Sequence, residues 1–297
     1  MERNISLKEI SEIIGIEYLG KNCTINGLNL CNRSSLYKSV ISYVTSDKYI
    51  EYVKNNTSIN TIIVTNELYS IYKKICRELS FIITDSPEEV FYDLHHKLYY
   101  NTDFYNHYDF NSNLGINCSI HPTAFIDDGV VIGNNVIIGP KSVIKRGSVI
   151  GDDVIIGCNT VIGSEGFQAL RIKGVSILVK HVGETHIKNN VCIGDNTDIC
   201  NSLFEGATLV SENAKIDNLV HVAHNCYIGK NAVVTAGTIL CGSSILDEGA
   251  WIGVNSSILN RVRVGKNSLI GIGSVVTRNI DDNGIAFGIP AKEKSKK

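Results

Sequence analysis

The most regular feature of the chain is an aliphatic residue at every sixth position, beginning at Ile120. The period runs from Ile120 to Ile162, resumes from Ile187 to Ile199, and continues from Phe204 to Val276. Six residues match neither an α-helix, with about 3.6 residues per turn, nor a strand that alternates about every two residues. A chain that turns a corner after each aliphatic residue has this period. The pattern therefore predicts a parallel β-helix with one inward aliphatic side chain per hexad.

Interruptions of the period predict where this β-helix departs from regularity. Three hexads make one triangular coil, so residues 18 apart are expected to stack in neighbouring coils, at a strand spacing of about 4.8 Å. The period lapses between Gly163 and His186, which predicts a loop insertion at 163–186, and long loops are often functional. The step from Ile199 to Phe204 is five residues, which predicts a corner shortened by one residue.

The first hundred residues lack the six-residue period and predict a small α/β domain. Ser6 and Glu9 have the spacing of a capping box at the start of a helix. Apolar runs predict strands at 61–64 and 80–83, and Ser86-Pro87 predicts a helix that begins with Ser86 as N-cap and ends near Tyr100.

These patterns together predict a mainly β protein, in which a left-handed parallel β-helix of hexapeptide repeats follows a small α/β domain. The left hand is implied by a family resemblance described below. The predicted parts are a domain at 1–100, a connector at 101–115, a β-helix at 116–280 with the insertion at 163–186, and a C-terminal tail at 281–297, whose lysine-rich end is expected to be solvated.

Composition narrows the class of partner and the compartment. The formal net charge of −2 and the pI of about 6.4 give no electrostatic reason to expect a nucleic acid. The sequence contains no apolar run of about 20 residues, so we expect no membrane-spanning helix. Charged residues interrupt the apolar positions near the start, so we expect no signal peptide. The nine cysteines form no CxxC pair, so we expect reduced packing residues in a cytoplasmic protein.

The densest polar cluster within the repeats is the segment from His221 to Asn225. A histidine that titrates near neutrality is a candidate general base. Val222 is expected to face the core, which would put His221 and His224 outside the prism. Gly242 lies 18 residues after His224, so it is expected directly above it, with a backbone N–H accessible to a ligand or an oxyanion.

Two other interpretations of these histidines remain open. They could be solvated surface residues with no role. A zinc site is the second alternative, with His181, His186, His221 and His224 as the available ligands. His186 and His221 are about two coils apart, and His221 and His224 are expected to point to opposite sides of an extended strand. We therefore predict no metal site and no bound cofactor.

The segments around this cluster resemble the hexapeptide-repeat acyltransferases, and most closely the UDP-3-O-acylglucosamine N-acyltransferases of lipid A and lipopolysaccharide biosynthesis. The residues that carry the resemblance are Lys215-Ile216-Asp217-Asn218, Val222-Ala223-His224-Asn225 and the insertion opening Gly163-Ser164-Glu165-Gly166-Phe167. The resemblance extends over nearly the whole chain. It implies a left-handed β-helix, a homotrimer with active sites between prisms, and a uridine-binding N-terminal domain.

The resemblance also implies roles for individual residues. His224 would take a proton from a sugar amine as the amine attacks a thioester carbonyl, and the Gly242 N–H would hold the oxyanion. Phe167 would lie near the sugar or the acyl chain, and Tyr43 and Tyr49 near the uracil. Ser46, Asn225 and His221 complete the predicted substrate-binding set: Tyr43, Ser46, Tyr49, Phe167, His221 and Asn225.

Several departures from the family pattern leave the substrates open. The family usually has Asn at Ser46 and a second histidine at Arg261, and the segment Asp195–Ser202 lacks its Asp-Arg-Gly. The ending at 273–292 resembles coenzyme-A-dependent sugar acetyltransferases instead of a helical tail that meets acyl carrier protein. The co-substrate is therefore expected to be acyl-ACP or acyl-CoA. The alternatives are acylation of a dTDP- or UDP-linked 4-amino-dideoxy sugar for surface glycans, a zinc hydratase, and a non-catalytic scaffold.

Overall fold

The structure, a computed structural model, describes residues 3–33, 35–106, 108–172 and 174–293. The chain divides into two compact units. Unit 1 comprises Met1–His107, Gln168–Val182 and Phe204–Gly206, and unit 2 comprises Tyr108–Phe167, Gly183–Leu203 and Ala207–Lys297. The last part of the predicted C-terminal tail, 294–297, lies outside the described residues.

Unit 1 begins with the predicted mixture of helices and strands. Its elements up to residue 101 are β1 (Ile5–Ser6), α1 (Leu7–Ile14), β2 (Tyr18–Leu19), β3 (Thr24–Ile25), β4 (Gly27–Leu28), β5 (Val40–Tyr43), a 3-10 helix (Asp47–Tyr49), α2 (Ile50–Asn55), β6 (Ile59–Val64), α3 (Asn66–Ile75), β7 (Ser80–Ile83) and α4 (Pro87–Asn101). Ser6 and Glu9 form the predicted capping box. Ser86 stands at the N-cap position of α4, but its side chain makes no capping hydrogen bond.

A five-stranded sheet organises this part of unit 1. Its strand order is β2-β7-β6-β5-β4, and all neighbours are parallel except β2 and β7. Ile62, Ile63 and Val64 of β6 are fully buried, as expected for a central parallel strand with both faces covered. The carboxyl ends of β5, β6 and β7 therefore lie at one edge of the sheet.

Unit 2 is built from very short strands at intervals of about six residues. The first group is β8 (Asn113–Leu114), β9 (Ser119–Ile120), β10 (Phe125–Ile126), β11 (Val131–Ile132), β12 (Ile137–Ile138), β13 (Val143–Ile144), β14 (Ser148–Ile150), β15 (Ile155–Ile156) and β16 (Val161–Ser164). A hairpin of β17 (Ala169–Ile172) and β18 (Val175–Leu178) follows and belongs to unit 1.

The strands of unit 2 resume after the hairpin. They are β19 (Glu184–Ile187), β20 (Cys192–Ile193), β21 (Asp198–Cys200), β22 (Ala207–Val210), β23 (Lys215–Ile216), β24 (His221–Val222), β25 (Tyr227–Ile228), β26 (Val233–Val234), β27 (Ile239–Leu240), β28 (Ile245–Leu246), β29 (Trp251–Ile252), β30 (Ser257–Ile258), β31 (Arg263–Val264), β32 (Leu269–Ile270), β33 (Val275–Val276), β34 (Ile285–Gly288) and β35 (Ala291–Glu293).

These strands stack into three parallel sheets among the described residues. Face 1 is β8-β11-β14-β19-β22-β25-β28-β31, face 2 is β9-β12-β15-β20-β23-β26-β29-β32-β34 with β35 antiparallel at its end, and face 3 is β10-β13-β16-β21-β24-β27-β30-β33. One aliphatic residue per strand, such as Ile156, Val222 or Ile258, points into a common buried core. The predicted left-handed parallel β-helix is confirmed.

The two ends of the β-helix extend past the predicted range 116–280. Asn113 and Leu114 already pair with Val131 and Ile132. At the other end, Ile285 pairs with Leu269, and β35 returns antiparallel to β34. The first part of the predicted tail therefore continues the face 2 ladder.

Both interruptions of the repeat leave from the same type of corner, between face 3 and face 1. The insertion lies between β16 of face 3 and β19 of face 1, and residues 201–206 lie between β21 and β22 of the same faces. The ladder closes across each interruption, because Ile162 pairs with Ile199 and Ile199 with Val222. The interruptions thus change one corner in two consecutive coils and leave the core in register.

Phe204 is not the inward residue of the β-helix that the repeat predicts after a corner shortened by one residue. It is instead assigned to unit 1, where its ring packs against Phe91 at 5.5 Å and His95 at 5.1 Å between centroids. Arg3 Nη1 donates to its carbonyl at 3.1 Å. Phe204 coincides with the six-residue period by chance, because it is an aromatic residue packed in unit 1.

None of the helices in the described residues is long and apolar enough to cross a lipid bilayer.

Candidate active site at a corner of the β-helix

His224 stands on the corner that follows β24 of face 3. Val222 points into the core with no exposure, and Asn225 takes a left-handed conformation with φ of 59° to turn the chain. The side chain of His221 is 45% exposed, as expected for an outward strand position. His224 is instead buried, with 9% exposure. The two predicted histidines therefore have different surroundings, and His224 is the shielded one.

Asn225 fixes the orientation of the His224 ring. His224 Nδ1 lies 3.0 Å from Asn225 Oδ1, and the Leu203 N–H donates to the same oxygen at 3.1 Å. Because Leu203 supplies a donor, the Asn225 atom must be the amide oxygen, so His224 Nδ1 must carry the hydrogen. The lone pair of neutral His224 is then on Nε2, where it can accept a proton. The Asn225 N–H is held in turn by Thr208 Oγ1 at 2.8 Å.

Gly242 lies against the other side of this ring, as the 18-residue stacking predicts. A Cβ on Gly242 would stand 2.6 Å from His224 Nε2 and 2.7 Å from Cε1, so no other residue fits without moving the ring. The Ser243 N–H donates to the His224 carbonyl at 2.9 Å and locks the two coils in register. Within the described residues, the Gly242 N–H has no hydrogen-bond acceptor. A base and a backbone donor thus meet at one corner.

A second polar group lies on the outward side of face 3, next to this corner. Asp198 and His221 are register partners in β21 and β24, and His221 Nδ1 is 3.1 Å from Asp198 Oδ2. Ser164 Oγ donates to Asp198 Oδ1, and Cys200 Sγ lies 3.6 Å from Oδ2. Among the described residues, Asp198, Cys200 and His221 are the side chains grouped closely enough to hold a metal ion.

The charges in this group follow from burial and hydrogen bonding. Burial alone would raise the pKa of Asp198, but hydrogen bonds from His221 and Ser164 outweigh it and hold that pKa below its usual value. Burial raises the pKa of the Cys200 thiol to about 12, so Cys200 is protonated at neutral pH. Asp198 is therefore an anionic acceptor surrounded by donors.

Asp198, Ser164 and Cys200 were not among the residues predicted from sequence. A step of 18 residues back from His221 arrives at Leu203, whereas the true partner is 23 residues back, because residues 201–206 leave the ladder. The sequence signal for this group is the acidic and polar segment Asp195–Ser202, part of which falls at outward positions of the repeat. The zinc ligands weighed from sequence were histidines, and the group that forms contains only one of them, His221.

Phe167 lies in the opening of the insertion and is 78% exposed. Its neighbour Gly166 donates from the backbone to Asn201 Oδ1 at 3.3 Å, and Asn201 Nδ2 donates to the Gly183 carbonyl at 3.3 Å. Asn201 directly follows Cys200 at the face 3 corner. These bonds tie both ends of the insertion to the coil before His224 and leave a large apolar ring exposed to solvent.

The predicted nucleotide contacts of unit 1 lie at the carboxyl edge of its sheet. Tyr43 ends β5, and its hydroxyl donates to Glu88 Oε1 at 2.8 Å; burial raises the pKa of Tyr43 far above its usual value. Ser46 caps the 3-10 helix and accepts from the Lys48 N–H at 3.4 Å. Tyr49 ends that helix and is partly exposed. Carboxyl edges of parallel strands are where α/β sheets bind ligands.

Arg261 continues the column of His224 and Gly242 into the next coil. Its N–H donates to the Gly242 carbonyl at 3.2 Å, and its φ is 62°. The residue is exposed, so a guanidinium stands at the position expected for a second histidine.

Similar proteins give this geometry a context. Residues 111–146 and 129–164 match the family described as bacterial transferase hexapeptide (six repeats). A UDP-3-O-acylglucosamine N-acyltransferase of Campylobacter lari is 33% identical over 305 residues, which cover 96% of this chain and 93% of that protein. UDP-3-O-acylglucosamine N-acyltransferase 1 of Sulfurimonas denitrificans is 35% identical over 309 residues, with 97% and 94% coverage.

The chain belongs to the UDP-3-O-acylglucosamine N-acyltransferase family. The resemblance predicted from the repeats and the Ala-His-Asn segment is thereby confirmed.

Solved acyltransferase structures share the fold of this family member. A UDP-N-acetylglucosamine acyltransferase from Bacteroides fragilis superposes with a TM-score of 0.53 at 30% identity, over 62% of this chain and 70% of that chain. A UDP-N-acetylglucosamine acyltransferase from Campylobacter jejuni gives a TM-score of 0.55 at 24% identity, with the same coverage. Similarity to the second structure concerns the fold alone.

Proposed function

We propose that this acyltransferase moves a 3-hydroxyacyl group from a thioester to the free amine of UDP-3-O-acylglucosamine. The observation that carries the proposal is the corner where His224 Nε2, oriented through Asn225, lies against the backbone of Gly242, whose N–H has no acceptor among the described residues. Amide formation from a thioester needs a base for the amine proton and a donor for the developing oxyanion. Both groups are present within one corner of adjacent coils.

His224 is the proposed general base. The attacking sugar nitrogen forms a bond to the thioester carbonyl carbon and gives a proton to His224 Nε2. Asn225 Oδ1 accepts from His224 Nδ1–H, so the ring is held in the tautomer that can take this proton, and the resulting imidazolium is stabilised by the amide dipole. Collapse of the tetrahedral intermediate releases the thiolate, which His224 can reprotonate.

The Gly242 N–H is the proposed oxyanion donor. It has no acceptor among the described residues, and the absence of a side chain lets the thioester carbonyl approach the backbone beside Nε2. A preorganised donor of this kind costs no reorganisation when negative charge develops on the carbonyl oxygen.

His221 and Phe167 are proposed substrate contacts. His221 is half-exposed on the strand that leads into the His224 corner, where it can donate to or accept from sugar hydroxyls. Phe167 presents an exposed apolar ring at the neighbouring corner, which is suited to an acyl chain or a sugar face.

Unit 1 is the proposed nucleotide-binding part. Tyr49 offers a partly exposed ring for stacking on uracil, and Tyr43 and Ser46 stand at the same sheet edge. The side chain of Ser46 is shorter than the Asn that this family usually has there. We therefore expect fewer direct hydrogen bonds to the base, with stacking supplying more of the affinity.

A homotrimer is the proposed assembly, and acyl-ACP or acyl-CoA the proposed donor. Ile137 and Ile155 form one outward apolar column on face 2, and Trp251 and Leu269 form another beyond Cys192, Lys215 and Val233. Each of the four apolar residues is 45–49% exposed in the single chain. A column of this kind supports burial against another copy. The unpaired thiols, including buried Cys226, are compatible with the proposed cytoplasmic location.

A donor and acceptor panel tests the proposal. Acyl-ACP and acyl-CoA are each offered with UDP-3-O-acylglucosamine and with a dTDP-4-amino-dideoxy sugar, and amide formation is followed by mass spectrometry. We expect acylation of the UDP-sugar, with a rate at least about 100-fold lower in His224→Ala. His121→Ala, on the exposed surface of the same β-helix, should retain the full rate. Acylation of the dTDP sugar alone would redirect the substrate, and no amide with any pair would refute the proposal.

A further inference from the structure

A group of metal-ligating side chains outside the proposed base and oxyanion pair lies on face 3. Asp198 and His221 face outward in adjacent coils, and Cys200 ends the same strand as Asp198. One ligand atom of each side chain lies within 4.8 Å of those of the other two. The three chemical types are those that zinc prefers: an imidazole nitrogen, a sulfur and a carboxylate oxygen.

Two of the three ligand separations match a tetrahedral ion. With bonds of about 2.0 Å to oxygen, about 2.05 Å to nitrogen and about 2.3 Å to sulfur, tetrahedral angles put nitrogen and oxygen about 3.3 Å apart and sulfur and oxygen about 3.5 Å apart. The structure has His221 Nδ1 at 3.1 Å from Asp198 Oδ2, and Cys200 Sγ at 3.6 Å from the same oxygen. An ion can therefore enter with shifts of only a few tenths of an ångström at these pairs.

The surroundings also suit an ion. Ser164 Oγ donates to Asp198 Oδ1, which orients the carboxylate and leaves Oδ2 as the ligand atom, in the manner of outer groups around protein-bound zinc. His221 and Asp198 are 45% and 37% exposed, so one side of the group is open to solvent. That opening gives an entry path and a fourth coordination position for water.

We propose that Asp198, Cys200 and His221 form a three-ligand site for a zinc-class divalent ion, with water as the fourth ligand. On binding, the Cys200 S–H bond breaks, its proton passes to solvent and a metal–sulfur bond forms. His221 binds as neutral imidazole through Nδ1, and its remaining hydrogen moves to Nε2 through solvent. One proton is thus released for each ion when His221 is neutral, and affinity falls as pH falls.

Cobalt(II) titration of the whole apo-protein tests this site directly, independently of acyl transfer. We expect one equivalent of cobalt to produce a thiolate-to-cobalt charge-transfer band and the intense visible bands of four-coordinate cobalt. Zinc should displace cobalt and abolish these bands. Zinc content after dialysis should be close to one ion per chain.

Variants identify the ligands. Cys200→Ser should lose the charge-transfer band, and His221→Ala should weaken binding more than Ser164→Ala, for which we expect a loss of about 10-fold. Because the His221 side chain is half-exposed, we expect His221→Ala to keep the melting temperature of the parent. A loss of cobalt binding in this variant would then reflect a lost ligand and not unfolding. Cys192→Ala, a partly buried thiol on face 2, is the matched control and should bind cobalt as the parent does.

The proposal is overturned if cobalt gives no thiolate band in the parent protein, if the band survives in Cys200→Ser, or if His221→Ala binds as tightly as Cys192→Ala. Loss of the bands in His224→Ala with retention in His221→Ala would likewise place the ion elsewhere. None of these results depends on whether an amino sugar is acylated.

Discussion

His224 Nε2 lies against the backbone of Gly242, so close that a Cβ at residue 242 would be 2.6 Å away. Two residues 18 positions apart in sequence are therefore in direct contact, which fixes the position of the imidazole ring relative to the Gly242 backbone. The contact depends on the stacking of coils and on the absence of a side chain.

Gly242→Ala should separate the proposed base from the proposed oxyanion donor. The added methyl group must displace the His224 ring by about 1 Å, and a displacement of that size can reduce a rate by about 100-fold. We expect kcat for amide formation to fall by about that factor while the circular dichroism spectrum is retained. Gly273→Ala is the control: a Cβ there meets open space but the φ is 65°, so we expect lower stability and no loss of the rate.

Replacement of Asn225 should reveal its control over the His224 tautomer. Asn225→Gly keeps the left-handed backbone, with φ of 59°, but removes the acceptor for His224 Nδ1–H. We expect kcat to fall about 10- to 100-fold, within the range of general-base contributions. Asn225→Asp keeps an acceptor and adds a negative charge that stabilises the imidazolium. The acid limb of its pH–rate profile should move to higher pH, and an unmoved limb would contradict the assigned contact.

Tyr49→Ala should weaken binding of the nucleotide and spare the chemical step. Loss of one stacked ring costs about 1–3 kcal/mol, so we expect KM for the UDP-sugar to rise about 5- to 150-fold at nearly constant kcat. Tyr52→Ala is a matched control, because Tyr52 is a neighbouring tyrosine with 54% exposure. Equal effects of the two substitutions on the dissociation constant of UDP would remove Tyr49 from the proposed site.

His95 should make unit 1 sensitive to acid. Burial lowers the pKa of His95 to about 4, and its ring nitrogens lie 2.7 Å from the Tyr105 hydroxyl and 2.7 Å from the Lys180 carbonyl. Its pKa in the unfolded chain is about 6.5, so the unfolded state binds the proton first as pH falls. The contribution of His95 to the free energy of unfolding is therefore fully present above pH of about 6.5. It is lost as pH falls toward about 4, which lowers the free energy of unfolding by up to about 3 kcal/mol.

Urea unfolding at a series of pH values measures this decline. His95→Gln should be less stable than the parent at pH of about 7 but should lose less stability between pH of about 6.5 and about 4. His121→Gln, which replaces an exposed histidine, should follow the parent curve. Parallel curves for the parent and His95→Gln would exclude His95 as the source of the acid sensitivity.

The repeat predicts neighbours correctly where it is uninterrupted. The step from His224 to Gly242 crosses one regular coil, so the 18-residue stacking gave the correct neighbour. The same step fails for His221, whose register partner is Asp198. Residues 201–206 between their strands are not part of the ladder, and Phe204–Gly206 belong to unit 1. Burial of His224 was also missed, since it depends on Leu203 and Gly242, which are close in space only after folding.

The single corner type that carries both interruptions has a consequence for how such a protein can diversify. Ile162 pairs with Ile199 although 37 positions separate them, and Gly166 and Gly183, near the two ends of the insertion, both bond to the Asn201 side chain. A segment bounded in this way can be shortened, lengthened or exchanged without altering the register on either side. Loops grafted at this corner are therefore a route to a different proposed acyl contact, while the proposed base His224 and oxyanion donor Gly242 keep their positions.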